Sequence, residues 1–148
     1  MLFNVAYFAS DHLENIFQTG IDMSEQKTIL TIDNDENVRT TIVDIIEALG
    51  YRCLEASSAR GAFDILEKEI IDLVLLDIKM PNVHGHQFLS VMRERGFVTP
   101  IIVISGYLQK DVIKQVAGLG VKGILSKPIR IKRFSEEILK VLEQESNP

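Results

Sequence analysis

Side chains that can take part in phosphoryl transfer follow four short apolar segments of the sequence. They are Asp33 with Asn34, Asp77, Ser105 and Lys127. A carboxylate such as Asp77 can attack phosphorus and form an acyl phosphate, while Asp33 supplies negative charge for a hard divalent cation such as Mg²⁺. The cation would neutralise the charge of some phosphoryl oxygens. Lys127 and Ser105 can contact the remaining phosphoryl oxygens. Since phosphoryl transfer depends mainly on positioning and charge neutralisation, this set could support it.

Each of these residues has a common structural role when it is considered alone. An aspartate that ends a strand usually caps a turn or a helix, and a serine in such a position is usually an N-cap. A lysine before proline is usually a solvated loop residue. The active groups of a parallel α/β sheet, however, gather at the carboxyl ends of its strands. Because the acids, the serine and the lysine all follow predicted strands, we expect their side chains to share one pocket.

Short apolar segments alternate with longer amphipathic segments from Lys27 onward. The predicted strands are 28–32, 52–56, 73–76, 101–104 and 123–125. Apolar residues at helical spacing predict a helix after each strand. The second helix is predicted to carry Ala62, Phe63, Leu66 and Ile70, with Ser57 or Ser58 as its cap. Five strands alternating with five helices predict an α/β fold with a doubly wound parallel sheet and right-handed crossovers.

The composition is typical of one globular domain. The 148 residues are 46% hydrophobic and 25% charged. No apolar run approaches the roughly 20 residues of a membrane-spanning helix, so we expect no membrane association. The single cysteine, Cys53, excludes an internal disulfide and favours a reducing, cytoplasmic compartment. Its apolar neighbours predict a buried and unreactive thiol.

Basic residues are concentrated in one segment, although the formal net charge is −5. Between Gln109 and Phe134 the segment carries +6 and the rest of the chain −11, because only Asp111 opposes seven basic residues. The seven are Lys110, Lys114, Lys122, Lys127, Arg130, Lys132 and Arg133. Such an asymmetry indicates either an anionic partner or a solvated face whose counter-charges come from elsewhere in the fold.

Residues 1–26 do not share the alternating pattern of residues 27–145, which we interpret as the domain. The segment 1–9 is apolar but lacks the basic leader of a secretory signal. Two interpretations stay open. Either the start codon is mis-assigned or the segment is a loose tail, or Leu13, Ile16 and Phe17 form one face of an extra helix that docks on the domain or on a second copy.

Three motifs make the segment from Lys27 to Glu143 similar to the receiver domain of bacterial response regulators. The segment 76–85, Leu-Asp-Ile-Lys-Met-Pro-Asn-Val-His-Gly, resembles the phosphoacceptor motif of that family. Ile104-Ser105-Gly106 resembles the segment that holds the switch hydroxyl. Ser126-Lys127-Pro128 resembles the lysine followed by a cis-proline bond. Together these motifs are specific to the family.

The resemblance implies a flavodoxin-like sheet of strand order 2-1-3-4-5 and a phosphorylation site at Asp77. It implies a magnesium site formed by Asp33, Asn34, Asp77 and the backbone carbonyl of Lys79. It also implies a histidine kinase or histidine phosphotransfer protein as donor and a downstream protein as target. The domain is then a signalling phosphoacceptor, which catalyses only its own phosphorylation and dephosphorylation. A homodimer through the fourth helix, fifth strand and fifth helix is a further expectation.

Two positions depart from the family pattern. The second acid after the first strand is replaced by Asn34, which keeps an oxygen ligand and removes a charge. The aromatic residue of the fifth strand, which rotates inward on activation in the family, is replaced by Ile124. Tyr107 lies two residues beyond Ser105 and is either a substitute switch residue or a surface aromatic.

These departures leave an alternative function open, that of a phosphorylation-independent pseudo-receiver. A second alternative is an aspartyl-phosphate phosphatase, because Asp33-Asn34-Asp35 has the Asp-x-Asp spacing of such enzymes. Asp77 and Lys127 fit the receiver pattern better. We expect no DNA binding, since no helix-turn-helix pattern follows the last predicted helix.

Overall fold

The computed structural model describes residues 26–79 and 85–146 of the chain. Five strands and five helices alternate along these two ranges. The strands are β1 (Thr28–Ile32), β2 (Arg52–Ala56), β3 (Leu73–Leu76), β4 (Ile101–Ser105) and β5 (Gly123–Ser126). The helices are α1 (Glu36–Ala48), α2 (Ala59–Lys68), α3 (Gly85–Glu94), α4 (Lys110–Ala117) and α5 (Ile131–Ser146). The hypothetical helix carrying Leu13, Ile16 and Phe17 lies outside the described residues, as do residues 80–84 of the phosphoacceptor motif.

The strands form one parallel sheet in the order β2-β1-β3-β4-β5, which confirms the expected topology. Ile32 at the end of β1 pairs with Leu76 at the end of β3. Leu76 pairs in turn with Val103 of β4. Because these strands end at the same edge, the residues that follow them are brought side by side.

Apolar side chains fill both faces of the sheet. Helices α1 and α5 cover one face, where Ile46 and Ile138 are fully buried. Helices α2, α3 and α4 cover the other, where Ala62, Leu89 and Val116 are fully buried. Every residue of β1, β3 and β4 is buried, as expected of apolar strands enclosed on both sides.

The ends of the helices follow local signals in the sequence. The side chain of Asp35 accepts hydrogen bonds from the backbone of Asn37 and Val38 and caps α1. Ser58, one of the two predicted caps of α2, accepts a hydrogen bond from the backbone N–H of Gly61. Gly50 follows α1 with a φ of 88°, a conformation that glycine adopts without strain.

The prediction that Ile70 belongs to the apolar face of α2 was wrong. The helix ends at Lys68, and the next residue, Glu69, is extended, with φ −121° and ψ 147°. Ile70 lies in the connection to β3 and is 87% exposed. The apolar spacing extends past the end of the helix, and no glycine or proline in the sequence marks that end. The sequence pattern therefore predicted a helix that was too long.

The beginning of β1 and the end of α5 are joined at the amino-terminal edge of the sheet. Lys27, directly before β1, donates hydrogen bonds from its Nζ to the carbonyl oxygen of Leu142 at 2.9 Å and to Ser146 Oγ. Both contacts lie at the edge opposite to the carboxyl ends of the strands.

Cys53 is half-buried in β2, and burial raises the pKa of its thiol to about 12, with the charges of Glu47 and Glu55 contributing. The thiol is therefore less buried than expected, while its raised pKa lowers the fraction of nucleophilic thiolate. Within the two described ranges, none of the helices combines the length and the apolarity that crossing a membrane requires.

Candidate functional site

Asp33, Asp77 and Lys127 converge at the carboxyl edge of the sheet. Asp33 directly follows β1 and is 2% exposed, and Asp77 directly follows the neighbouring β3 and is 5% exposed. Lys127 directly follows β5, and its Nζ donates hydrogen bonds to Asp33 Oδ2 at 2.7 Å and to Asp77 Oδ2 at 3.2 Å. The sheet thus brings together three side chains that are 44 or more residues apart in the sequence.

Local backbone hydrogen bonds orient both carboxylates in the same way. Asp33 Oδ1 accepts from the N–H of Asp35 at 2.9 Å, and Asp77 Oδ1 accepts from the N–H of Lys79 at 3.0 Å. In each carboxylate, therefore, Oδ1 accepts a hydrogen bond from the backbone N–H two residues further along the chain, and Oδ2 accepts one from Lys127 Nζ. Peptide bond 127–128 is cis, as the resemblance implied.

The site carries an excess of buried negative charge. Burial raises the pKa of Asp77, and the charge of Asp33 raises it further, against the hydrogen bond from Lys79 and the ammonium of Lys127. Burial lowers the pKa of Lys127, but the hydrogen bond to Asp33 and the charges of both carboxylates outweigh that effect and raise it. One ammonium faces two carboxylates, so a further cation would be stabilised here.

The residues expected to hold magnesium offer oxygen donors of the kind it prefers. Asp33 and Asp77 are adjacent carboxylates, Asn34 adds an exposed amide, and the backbone of Lys79 lies beside Asp77. In the described part of the chain, no three His, Cys, Asp or Glu side chains are grouped to hold a metal. The expected ligand set does not require such a group, since it contains only two acids.

The expected switch residues are Ser105, Tyr107 and Ile124, and none of their side chains hydrogen-bonds to Asp33, Asp77 or Lys127 within the described ranges. Ser105 ends β4, is fully buried, and accepts a hydrogen bond from the N–H of Tyr107 at 3.2 Å. Tyr107 is 52% exposed, and Lys79 Nζ lies 5.4 Å from its ring centroid. Ile124 of β5 is half-buried against the core under α2, α3 and α4.

The basic segment forms an exposed surface, with one exception. Lys127 points into the site, as expected. The other six residues are exposed, and among the described residues only Lys122 forms an ion pair, with Glu145 at 3.6 Å. We call the remaining five the basic face: Lys110, Lys114, Arg130, Lys132 and Arg133. Within ranges 26–79 and 85–146, none of these five residues forms an ion pair with an acidic side chain. The structure therefore does not show the counter-charges that were one explanation of the charge asymmetry.

Sequence reasoning missed Arg39, which contacts the site from α1. Its Nη1 donates to the carbonyl oxygen of Asp33 at 2.8 Å, and its Nε pairs with Glu55 Oε1 at 3.1 Å. Its side chain is only 13% exposed. One signal was present in the sequence: a basic residue in the first turn of a helix opposes the helix dipole and indicates a specific contact.

A parallel sheet of order β2-β1-β3-β4-β5 with two carboxylates and a lysine at its carboxyl edge is the arrangement that the resemblance to receiver domains implies. The chain belongs to the response regulator receiver domain family, whose family model matches residues 29–139. The expected resemblance and the receiver function that follows from it are therefore confirmed.

Relatives include both single-domain proteins and parts of larger kinases. Sporulation initiation phosphotransferase F of Bacillus subtilis is 30% identical over 119 residues, which cover 80% of this chain and 96% of that protein. The polar-differentiation response regulator DivK of Brucella ovis is 27% identical over 76% of this chain and 93% of its own length. The sensor histidine kinase RcsC of Salmonella typhi is 26% identical over 79% of this chain, but the chain spans only 12% of that kinase.

Solved structures show the same fold. The signal receiver domain of an HD domain-containing protein from Pseudomonas fluorescens Pf-5 has a TM-score of 0.79 at 22% identity, covering 84% of this chain and 100% of that one. A CheY-like receiver domain from Methanospirillum hungatei JF-1 has a TM-score of 0.78 at 24% identity, covering 82% and 98%.

Proposed function

We propose that Asp77 accepts a phosphoryl group from a phosphohistidine of a histidine kinase or a histidine phosphotransfer protein. The observation that carries this proposal is the placement of Asp77, a buried carboxylate that shares the ammonium of Lys127 with Asp33. In the transfer, a carboxylate oxygen of Asp77 bonds to phosphorus while the phosphorus–nitrogen bond of the donor breaks. The electron pair of that bond stays on the imidazole nitrogen.

The neighbours of Asp77 would stabilise the transferred group. Lys127 is already within hydrogen-bond distance of Asp77 Oδ2 and would contact a phosphoryl oxygen. Ser105 would donate a hydrogen bond to another once its hydroxyl turns toward the group. Magnesium, held by Asp33, Asn34, Asp77 and the carbonyl of Lys79, would neutralise phosphoryl charge. Attack of water on phosphorus later releases phosphate and restores the carboxylate of Asp77.

The proposed output is protein–protein contact by a domain that spans residues 27–145. The basic face, on α4 and α5 and the loop before α5, is exposed and would attract an acidic target or a second copy of the domain. Asp111, Glu136 and Glu137 lie on the same two helices and would supply the acidic partners in a symmetric dimer.

Phosphorylation by a small donor tests the acceptor. The chain is incubated with acetyl phosphate and Mg²⁺, and its intact mass is measured. We expect the wild type to gain the mass of one phosphoryl group and Asp77→Asn to gain none while staying folded. Asp44→Asn is the matched control, because Asp44 is an exposed aspartate on α1. Full modification of Asp77→Asn would contradict the assignment.

A phosphorylation-independent pseudo-receiver is the second candidate, favoured by the neutral Asn34 and by Ile124 in β5. Beryllofluoride, which mimics a phosphoryl group on a carboxylate, separates the two. A receiver is expected to bind beryllofluoride with Mg²⁺ and to shift backbone NMR signals around Asp77 and Ser105. A pseudo-receiver would show neither binding nor shifts and would still bind its partner.

A further inference from the structure

The guanidinium of Arg39 fixes the peptide group between Asp33 and Asn34. The carbonyl oxygen of Asp33 accepts from Arg39 Nη1 at 2.8 Å, and it belongs to the peptide plane that also contains the nitrogen of Asn34. The N–H of Asp33 is held separately by the carbonyl oxygen of Ala56 at 3.1 Å. The contact with Arg39 therefore helps to fix the direction in which Asn34 leaves the backbone, together with the hydrogen bond from the N–H of Asp35 to Asp33 Oδ1.

Arg39 is itself held in place. Its Nε donates to Glu55 Oε1 at 3.1 Å, which ties the loop after β1 to the neighbouring strand β2. The side chain of Arg39 is 13% exposed, whereas that of Glu55 is 50% exposed. Glu55 also offsets the positive charge of Arg39, which would otherwise repel a cation bound at the nearby carboxylates.

Asn34 depends on this support more than an acidic residue would. It is exposed, and its side chain makes no hydrogen bond to any residue in the described ranges. A carboxylate at this position would be attracted to a divalent cation by its charge. A neutral amide lacks that attraction, so its binding to the cation depends more on how its oxygen is oriented. An oriented backbone at Asn34 would thus compensate for part of the lost electrostatic attraction.

We propose that Arg39 is a positioning residue for magnesium, which orients the peptide of Asp33 and Asn34 so that the Asn34 amide can serve as a ligand. The inference rests on the magnesium site of the proposed function. Partners that orient metal ligands typically contribute 10- to 100-fold in affinity. The contribution of Arg39 should be larger with Asn34 present than after Asn34→Asp, because a charged ligand needs less orientation.

Calorimetric Mg²⁺ titration of four chains tests the inference: wild type, Arg39→Met, Asn34→Asp and the double variant. Arg39→Met keeps the volume of the side chain and removes its donors. We expect Arg39→Met to weaken magnesium binding about tenfold in the wild-type background and less than about threefold in the Asn34→Asp background. Removing the charge of Arg39 affects the bound cation in both backgrounds. The difference between the two affinity losses therefore measures the effect of Arg39 on the orientation of residue 34.

The control is Arg52→Met, which removes an exposed arginine paired with Glu69 at 3.1 Å, at the opposite end of β2. It should leave magnesium affinity unchanged. Urea unfolding of each chain verifies folding, and Arg39→Lys replaces Arg39→Met if the latter unfolds. Equal losses in the two backgrounds, or no loss, would overturn the inference alone. A wild type that binds no magnesium would overturn both the metal site and the inference.

Discussion

Gly85, the first residue of α3, lies against the backbone of Ile78, directly after the candidate phosphoacceptor. The N–H of Gly85 donates to the carbonyl oxygen of Ile78 at 2.8 Å. A Cβ added at Gly85 would lie 2.5 Å from Ile78 Cα and 3.1 Å from the carbonyl oxygen of Asp77. The absence of a side chain at Gly85 therefore lets α3 begin next to the backbone of Asp77.

Gly85→Ala should destabilise the domain by about 1–3 kcal/mol, because the clash is with backbone and must be relieved by moving it. The measurement is the urea unfolding midpoint. Gly118→Ala is the control, since a Cβ at Gly118 would meet its nearest atom at 3.6 Å and its φ is −66°. That variant is expected to be neutral or slightly more stable, and similar losses in both would contradict the steric explanation.

Truncating Lys79 and Tyr107 together to alanine should shorten the lifetime of the phosphorylated state. Lys79 Nζ lies 5.4 Å from the centroid of the Tyr107 ring, and the ring hydroxyl accepts from Gln109 Nε2 at 2.6 Å. We expect this pair to overhang the site and to obstruct attacking water. We expect hydrolysis to accelerate several-fold with stability changed by less than about 1 kcal/mol. Gln109→Ala, which keeps both overhanging side chains, is the control. Equal lifetimes in the wild type and the double variant would exclude this role.

Reversing Lys114 and Lys132 to glutamate should weaken association through the basic face while Asp77 is still phosphorylated. Attraction between exposed charges is screened over a Debye length of about 10 Å at 0.1 M salt, so wild-type association should also weaken with salt. Sedimentation after beryllofluoride addition measures dimerisation. The control reverses Arg60 and Lys68, two exposed basic residues of α2. If only the control variant lost association, the interface would lie elsewhere.

Alkaline pH should destabilise the domain through Tyr51 and Cys53. Burial is the main cause that raises the pKa of both to about 12, from ordinary values of 10.0 and 9.0. The unfolded chain therefore ionises first, and folding stability falls as the pH rises from about 9 towards 12. The urea midpoint should drop between pH 8 and about pH 11, and Cys53→Ala should drop less. An identical drop in that variant would exclude the thiol.

The sequence was sufficient for the elements and for the identity of the central acids, but not for their contacts. Apolar runs predicted β1 and β3 at their observed bounds, since strands buried on both faces contain few polar residues. The hydrogen bond between Lys127 and Asp33 joins residues 94 positions apart and depends on which strands are neighbours. Arg39 was missed because its role depends on a backbone oxygen, which every residue has. The exposed Ile70 shows that spacing alone does not mark a helix end.

The contact of Lys27 with the end of α5 fixes where a label can be attached. Gln26 and Ser146 lie at the edge of the sheet opposite to Asp77, separated from it by the length of β1, about 17 Å for five residues. A fluorophore or a surface tether at Gln26 would leave the phosphoacceptor and the basic face open to partners, whereas one at Ser146 would remove the hydrogen bond from Lys27.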